Sequence, residues 1–202
     1  MRGFSDEERE RIREQLIEHG RTLFARYGLE KTTISDLTEP VGIATSTFYR
    51  FFDSKEELYV RILQREGEEI ERRLRAELDA APDTAASIRT LLEVVTEEIE
   101  TNPLIRSVVR NDDLERLAAG YEGGYEEGRE QSFSYLLPIV RSWIEAGEVR
   151  EDVDPEVIAS TLRATTMVTL HQDEIGEDLY PETRDLLIDL VAEGLVEDDD
   201  RG

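Results

Sequence analysis

The chain of 202 residues contains no cysteine and only two histidines, His19 and His171, which lie far apart in the sequence. Disulfide bonds and thiolate metal sites are therefore excluded, and few side chains remain for metal binding or nucleophilic catalysis. No apolar run approaches the ~18 residues of a membrane span, and the first residues are charged rather than apolar. We therefore expect a cytoplasmic protein that has no cofactor, no metal ion and no contact with a membrane.

Lysine is also scarce, since only Lys31 and Lys55 occur among 24 basic residues, against 48 acidic ones, and the formal net charge is −24. A carboxylate-rich surface with few lysines is typical of proteins that stay soluble in molar salt through a high net charge. The composition therefore favours a halophile, which we expect to be a halophilic archaeon. An ordinary acidic protein from a GC-rich genome is the alternative that composition leaves open.

The negative charge is unevenly spread along the chain. Residues 1–52 carry eight basic and nine acidic side chains, a net charge of −1, which leaves −23 for the remaining residues. A locally basic surface at the N-terminal end is therefore possible despite the acidity of the whole chain.

Apolar residues recur at helical spacing through almost the whole sequence, and start and stop residues divide it into about nine helices. Ser5 with Glu8 predicts a capping box for the first helix, and Gly28 predicts its end. No segment alternates between apolar and polar residues in the way that a half-buried strand does. The fold class expected from the sequence is all-α.

Residues 33–58 predict a helix-turn-helix. Thr33 with Asp36 caps a short helix that ends at Pro40 because proline inside a helix costs about 3 kcal/mol. A second short helix follows from about residue 44 to 51, and Ser54 with Glu57 predicts a capping box for a long helix after it. Two short helices joined by a tight glycine turn between longer helices form this motif.

The N-terminal quarter resembles the TetR family of transcriptional regulators. The resemblance rests on the stretch "LFARYGLEKTTI" followed by Leu37, Gly42, Ile43, Phe48, Tyr49, Phe52, Lys55, Glu56 and Leu58. It implies an N-terminal three-helix DNA-binding domain over residues 1–53 and a C-terminal helical ligand-binding and dimerisation domain over residues 54–202. The sequence departs from the family pattern at Ala44, where a serine usually caps the recognition helix.

By this resemblance, "ATSTFYR" is the recognition helix that enters the major groove. Its short hydroxyl side chains and its arginine can reach base edges or phosphate oxygens. The DNA-binding residues that we expect are Thr33, Thr45, Ser46, Thr47, Tyr49, Arg50 and Lys55. Lys55 in particular opposes the dipole of the helix that it begins, so we expect a phosphate beside it. Phe48 and Phe52 are interpreted as core residues rather than stacking platforms for bases.

The C-terminal part is expected, by resemblance, to bind a small-molecule effector and to form a homodimer through the last two helices. Apolar stripes on those helices suit a four-helix bundle across a two-fold axis, although they would also fill the core of a monomer. The candidate pocket residues are Arg110, Tyr135, Trp143, Met167 and His171, each of which plain packing would also explain.

These features predict a dimeric repressor that binds a palindromic operator in double-stranded DNA and is released by its effector. A ligand-blind adaptor with the same motif, for DNA or for a protein partner, is the alternative. A helical enzyme is disfavoured because the acidic residues occur in surface runs and no pairing of nucleophile and base is visible.

Overall fold

The computed structural model describes residues 4–111 and 136–196. Its backbone contacts divide the chain into two units, the first formed by Met1–Glu69 with Pro103–Ser107 and the second by Ile70–Asn102 with Val108–Gly202. In the described residues the regular elements are helices, with a single isolated antiparallel bridge between Val149 and Val196. The all-α prediction is confirmed. The predicted division by function into residues 1–53 and 54–202 stays a prediction.

The helices are numbered here in chain order within the described residues. They are α1 (Asp6–Lys31), α2 (Ile34–Thr38), α3 (Thr45–Phe48), α4 (Lys55–Leu78), α5 (Thr84–Thr101), α6 (Pro103–Asn111), α7 (Leu136–Glu145), α8 (Pro155–Met167), α9 (Gln172–Ile175) and α10 (Tyr180–Leu195), with a 3-10 turn over Val168–His171.

The start of α1 follows the sequence prediction, whereas Gly28, which was predicted to end the helix, forms a kink within it and α1 continues to Lys31. The Ser5 hydroxyl accepts a hydrogen bond from the Glu8 amide at 3.2 Å, and the Glu8 carboxylate accepts one from the Ser5 amide at 2.9 Å. This reciprocal pair is the predicted capping box. At Gly28 the backbone leaves helical geometry with φ of 76°, a conformation that glycine adopts readily, before one further turn.

The helix-turn-helix lies in the first unit. Thr33 and Asp36 form a second reciprocal capping box, and α2 ends before Pro40 as predicted. Gly42 turns the chain at φ of 72°, and the Ile43 amide donates to the Thr38 carbonyl at 3.3 Å, which closes the turn into α3. A side chain at Gly42 would meet open space, so the requirement for glycine is set by the backbone alone.

The end of α1 is joined to the start of α4 by Lys55. Its Nζ donates to three backbone carbonyls, at 2.8 Å to Leu29, 3.2 Å to Glu30 and 3.0 Å to Thr32. An ammonium group has three protons, and a helix C-terminus leaves its last carbonyls unpaired and partly negative. Lys55 is thus a cap for the last turn of α1, and it positions the entry into α2.

The second unit encloses its own hydrophobic core. Helices α5, α7, α8 and α10 contribute fully buried side chains such as Leu92, Val140, Ile158 and Ile188. Helix α8 starts at a capped position, because Asp154 accepts from the Glu156 amide at 2.8 Å and proline occupies the first helical position. It ends at residue 167, where the 3-10 turn begins.

The cap predicts a stability effect for Lys55→Ala. Removing the ammonium leaves three carbonyls at the end of α1 without their donor. A hydrogen bond to a charged group contributes about 1.5–3 kcal/mol to stability. We expect the free energy of unfolding to fall by about 2 kcal/mol in urea titrations at fixed KCl.

The matched control is Lys31→Ala, which removes the other lysine of the chain. Lys31 is exposed in the last turn of α1, so we expect a change within about 0.5 kcal/mol. Equal losses in the two variants would show that Lys55 acts only through its charge.

Candidate nucleic-acid interface

The outer face of α3 is made of hydroxyl side chains and one arginine. Thr45, Ser46 and Arg50 are exposed, Thr47 is half-buried, and 55% of Tyr49 is exposed. Within the described part of the chain, the hydroxyls of Thr45, Ser46 and Tyr49 have no hydrogen-bond partner. These residues belong to the group that the sequence predicts to bind DNA, and that role stays a prediction.

The inner face of α3 is held by aromatic rings. Phe48 is fully buried, and Phe52 is 3% exposed with its ring centroid 5.9 Å from that of Phe48. Tyr49 lies edge-on to Phe48, with ring centroids 5.7 Å apart at 88°. The interpretation of Phe48 and Phe52 as core residues is confirmed, and their burial fixes the direction in which the polar face of α3 points.

The start of α3 lacks a side-chain cap. Ala44 occupies the capping position and forms no side-chain hydrogen bond, so the amide groups of the first turn have no side-chain acceptor. Helix starts of this kind attract anions because their amide groups and the helix dipole favour negative charge. The absence of a cap agrees with the departure noted at Ala44 in the sequence.

Thr33 is engaged in its capping box. The Asp36 carboxylate accepts from both the Thr33 amide, at 2.9 Å, and the Thr33 hydroxyl, at 2.6 Å. The hydrogen bond from the hydroxyl, and then that from the amide, hold the pKa of Asp36 below its usual value. The phosphate contact expected of Thr33 remains a prediction, and it requires a phosphate oxygen to replace the carboxylate or to share its donors.

Lys55 is engaged in the same way. The three protons of its ammonium group point to the carbonyls of residues 29, 30 and 32. The negative end of α1 therefore offsets the unfavourable interaction with the dipole of α4, for which the sequence predicted a phosphate. A direct phosphate contact of Lys55 remains a prediction. In the structure, Lys55 holds the end of α1 and thereby positions Thr33 at the start of α2.

Arginines and aromatic rings alternate beside the end of α3. The Arg50 guanidinium lies 5.2 Å from the Phe4 ring centroid, and the Phe4 and Phe51 rings lie 6.2 Å apart. The Arg9 guanidinium lies 5.8 Å from the Phe51 centroid, and the Arg13 guanidinium 5.0 Å from that of Phe52. We call these six residues the arginine–phenylalanine stack: Phe4, Arg9, Arg13, Arg50, Phe51 and Phe52.

Arg9 and Arg13 were not among the residues predicted from the sequence to bind DNA. The available signal was their spacing of four residues, which places both on one face of α1. Their aromatic partners follow α3 in the chain, about forty residues later, and that pairing has no signature in the sequence.

The structure describes four of the five candidate pocket residues, and their role in binding an effector stays a prediction. Trp143 lies in the hydrophobic core of the second unit, Met167 is half-buried, and Arg110 is exposed. His171 is exposed, and its Nδ1 lies 2.8 Å from the Glu174 carboxylate. Tyr135 lies outside the described residues. For Trp143, plain packing explains the position that the structure gives it.

A shallow cleft of about 10 Å³ lies in the second unit, and none of the described candidate pocket residues lines it. Its walls are Leu91, Leu92, Val95, Leu136, Leu162, Arg163 and Thr166. Ligand pockets usually measure about 300–1,000 Å³, so this apolar cleft with one guanidinium is smaller than a typical effector site.

The described ranges are residues 4–111 and 136–196. They contain no group of three or more His, Cys, Asp or Glu side chains arranged to hold a metal ion. No helix in them is both long enough and apolar enough to cross a membrane.

The N-terminal unit matches a known protein family, and most of the chain is similar to known transcriptional repressors. A family model described as bacterial regulatory proteins, tetR family, matches residues 16–62. The HTH-type transcriptional repressor KstR2 of Mycobacterium tuberculosis is 28% identical over 159 residues, which cover 78% of this chain and 79% of the repressor. KstR2 of Rhodococcus jostii is 26% identical over 172 residues, covering 85% and 84% of the two chains.

A solved structure shows the same fold. The structure of the ketosteroid transcriptional regulator KstR2 of Mycobacterium tuberculosis matches with a TM-score of 0.63 at 24% identity, and the match covers 92% of this chain and 95% of that one. The family and these relatives are transcriptional regulators rather than enzymes. Residues 16–62 thus match the tetR family model, and over most of its length the chain is similar to HTH-type transcriptional repressors.

Proposed function

We propose that the chain is a dimeric transcriptional repressor that binds a palindromic operator through α3 and leaves it when a small-molecule effector binds. The observation that carries the DNA-binding part is the exposed face of α3, whose hydroxyls lack partners within the described residues while Phe48 anchors the opposite face. Because these hydroxyls have no partner in the described protein, they can exchange their hydrogen bonds to water for bonds to base edges and phosphate oxygens in a duplex groove. The repressor would act in the cytoplasm, where its DNA lies.

The recognition chemistry follows from the side chains that α3 presents. In this proposal Thr45 and Ser46 reach base edges or phosphates, the Tyr49 hydroxyl donates to a phosphate, and Arg50 extends furthest. Each contact is short, so the helix must lie deep in the major groove for the hydroxyls to reach. Phosphate contacts from Thr33 and Lys55 belong to the proposal as additions, since both side chains already have partners in the free chain.

The acidity of the chain adds a condition on how the affinity arises. If the source is a halophile, as we propose, binding takes place in molar salt, where the gain from released counterions is largely lost. Hydroxyl, backbone and shape contacts would then supply more of the affinity than they do in a lysine-rich regulator.

The homodimer is supported by exposed apolar side chains on α8 and α10. Val157, Leu186 and Leu190 are 54%, 60% and 61% exposed, whereas Ile158 and Leu162 on the same stripes are buried. The stripes seen in the sequence thus serve two purposes, since one part fills the core of the unit and the other part lies open. A two-fold partner would cover the open part and would supply the second α3 for the other half-site.

The effector is the less supported part of the proposal. An effector acts by binding better to one separation of the two recognition helices than to another. The cleft of about 10 Å³ in the second unit, with Arg163 on its wall, is the place from which such a site would have to open. Its small size is also the observation that favours the second candidate, a ligand-blind DNA-binding or protein-binding adaptor.

The DNA-binding proposal predicts a palindromic footprint on the DNA upstream of the chain's own gene. In footprinting at several KCl concentrations up to molar, we expect Tyr49→Phe to weaken binding about fivefold because one phosphate hydrogen bond is lost. Tyr27→Phe, which removes the hydroxyl of a tyrosine that is also exposed, should bind as the unchanged protein does. If the unchanged protein protects no DNA at any salt concentration, the DNA-binding proposal fails.

The homodimer proposal predicts that Leu186→Glu with Leu190→Glu converts the protein to monomers. Two carboxylates in an apolar interface would lose their hydration without a partner, which makes association unfavourable. Light scattering after size exclusion, at low and at molar KCl, measures the mass. Unchanged circular dichroism shows that the helices remain folded. A double variant that keeps the mass of the unchanged dimer would place the interface elsewhere.

A further inference from the structure

We propose that Arg9 and Arg13 of α1, with Arg50, form a second contact surface for DNA, which binds the backbone phosphates beside the recognition helix. The arginine–phenylalanine stack holds these guanidinium groups in place. The inference rests on the proposed DNA binding and adds to it residues of α1 that lie outside the helix-turn-helix.

The first step concerns charge. Arginines of this chain are mostly paired with carboxylates where they are fixed, as Arg65 is with Glu14 at 2.5 Å and Arg21 with Glu66 at 2.7 Å. Within the described residues Arg9, Arg13 and Arg50 form no ion pair, and their fixed partners are rings. A phenylalanine ring attracts a guanidinium without neutralising it, so all three groups keep a full positive charge.

This pattern is informative because carboxylates are abundant. Acidic residues outnumber basic ones by 48 to 24, and Asp6 and Glu10 lie on α1 within one turn of Arg9 and Arg13. Neither carboxylate forms an ion pair with either arginine in the part of the chain that the structure describes. Arg65, and to a lesser extent the nearby charge of Arg13, lower the pKa of Glu14, but within the described residues no carboxylate forms an ion pair with Arg9, Arg13 or Arg50.

The second step concerns position. Arg50 lies two residues after the end of α3, and Phe51 and Phe52 continue the chain from it, so the rings that support Arg9 and Arg13 follow the recognition helix within four residues. The major groove is about 12 Å wide, and its edges are the phosphate backbones. If α3 lies in the groove, guanidinium groups that are separated from its end by one aromatic ring lie beside a phosphate backbone rather than beside a base.

The third step concerns order. Arg9 and Arg13 are half-buried on their rings, and Arg9 is tied to Arg50 through the sequence of partners Arg9, Phe51, Phe4 and Arg50. A guanidinium that is already oriented loses less rotamer freedom when it binds a phosphate, and its planar fork donates two hydrogen bonds. The surface thus suits a phosphate better than three free arginines would.

The test measures operator affinity and its salt dependence for Arg9→Gln, Arg13→Gln and Arg11→Gln. Arg11 is exposed and lies about 160–200° around α1 from the other two, so it is a control of equal charge on the same helix. We expect Arg9→Gln and Arg13→Gln each to weaken binding roughly fivefold and to reduce the slope of log K against log salt by about 0.9. Arg11→Gln should change the affinity less than about twofold.

Phe4 is tested separately as a positioning residue. Phe4→Leu keeps an apolar side chain but removes the ring beneath Arg50, and we expect a loss of roughly threefold that Phe4→Trp restores. In the Arg50→Gln background, Phe4→Leu should have no further effect on DNA affinity, because the two residues act as a pair. Thermal unfolding of each variant separates a loss of contact from a loss of fold.

The outcomes distinguish the two proposals. If the unchanged protein binds no DNA, the proposed function fails, and this inference fails with it. If the unchanged protein binds its operator, but Arg9→Gln and Arg13→Gln bind with the affinity and salt slope of Arg11→Gln, the proposed function stands and the second contact surface is overturned.

Discussion

The recognition surface depends on the burial of Phe48. Helix α3 has a single turn of four residues and no capping side chain, and so short a helix has almost no stability of its own. Burying a phenylalanine ring contributes about 1.5–3 kcal/mol, and Phe52 packs against the same ring. The direction of the Thr45 and Ser46 hydroxyls is therefore a property of the aromatic core beneath them. A change in that core would alter DNA binding without touching a DNA-facing residue.

The same rings bear on how so acidic a chain can approach a polyanion. Net charge acts over the whole molecule, but salt screens it beyond roughly 10 Å or less, and in molar salt beyond about 3 Å. What remains is the charge within a few ångströms of each phosphate. At that range Arg50 lies on Phe4 instead of pairing with a carboxylate, so the local charge is positive whatever the rest of the surface carries. A high salt concentration would therefore make the global acidity less of an obstacle.

The sequence predicted the local features well and the long-range ones poorly. The capping boxes at Ser5 and Thr33 are confirmed because each depends on residues within one turn. The position of Lys55 in the first turn of its helix correctly indicates an unfavourable interaction with the helix dipole. The carbonyls that offset this interaction lie 23–26 residues earlier, so the neighbouring sequence does not reveal them. The pairing of α1 arginines with rings beyond α3 was missed for the same reason. Apolar stripes were recognised, but packing alone decides which side is buried.

Thr33 and Lys55 both donate their hydrogen bonds to groups within the protein. Lys55 fixes the last turn of α1, and Thr33 begins α2 directly after it. Two caps in sequence hold the start of α2 and therefore the turn that leads to α3. A side chain that fixes the frame contributes to binding by reducing the freedom that α3 loses on the DNA, even without a direct contact. In the proposed complex, the few short side chains of α3 would supply only modest discrimination, about 1–3 kcal/mol for each good base contact. A rigid frame and the second copy of α3 in the proposed dimer would then be the two means by which such a helix reaches useful specificity.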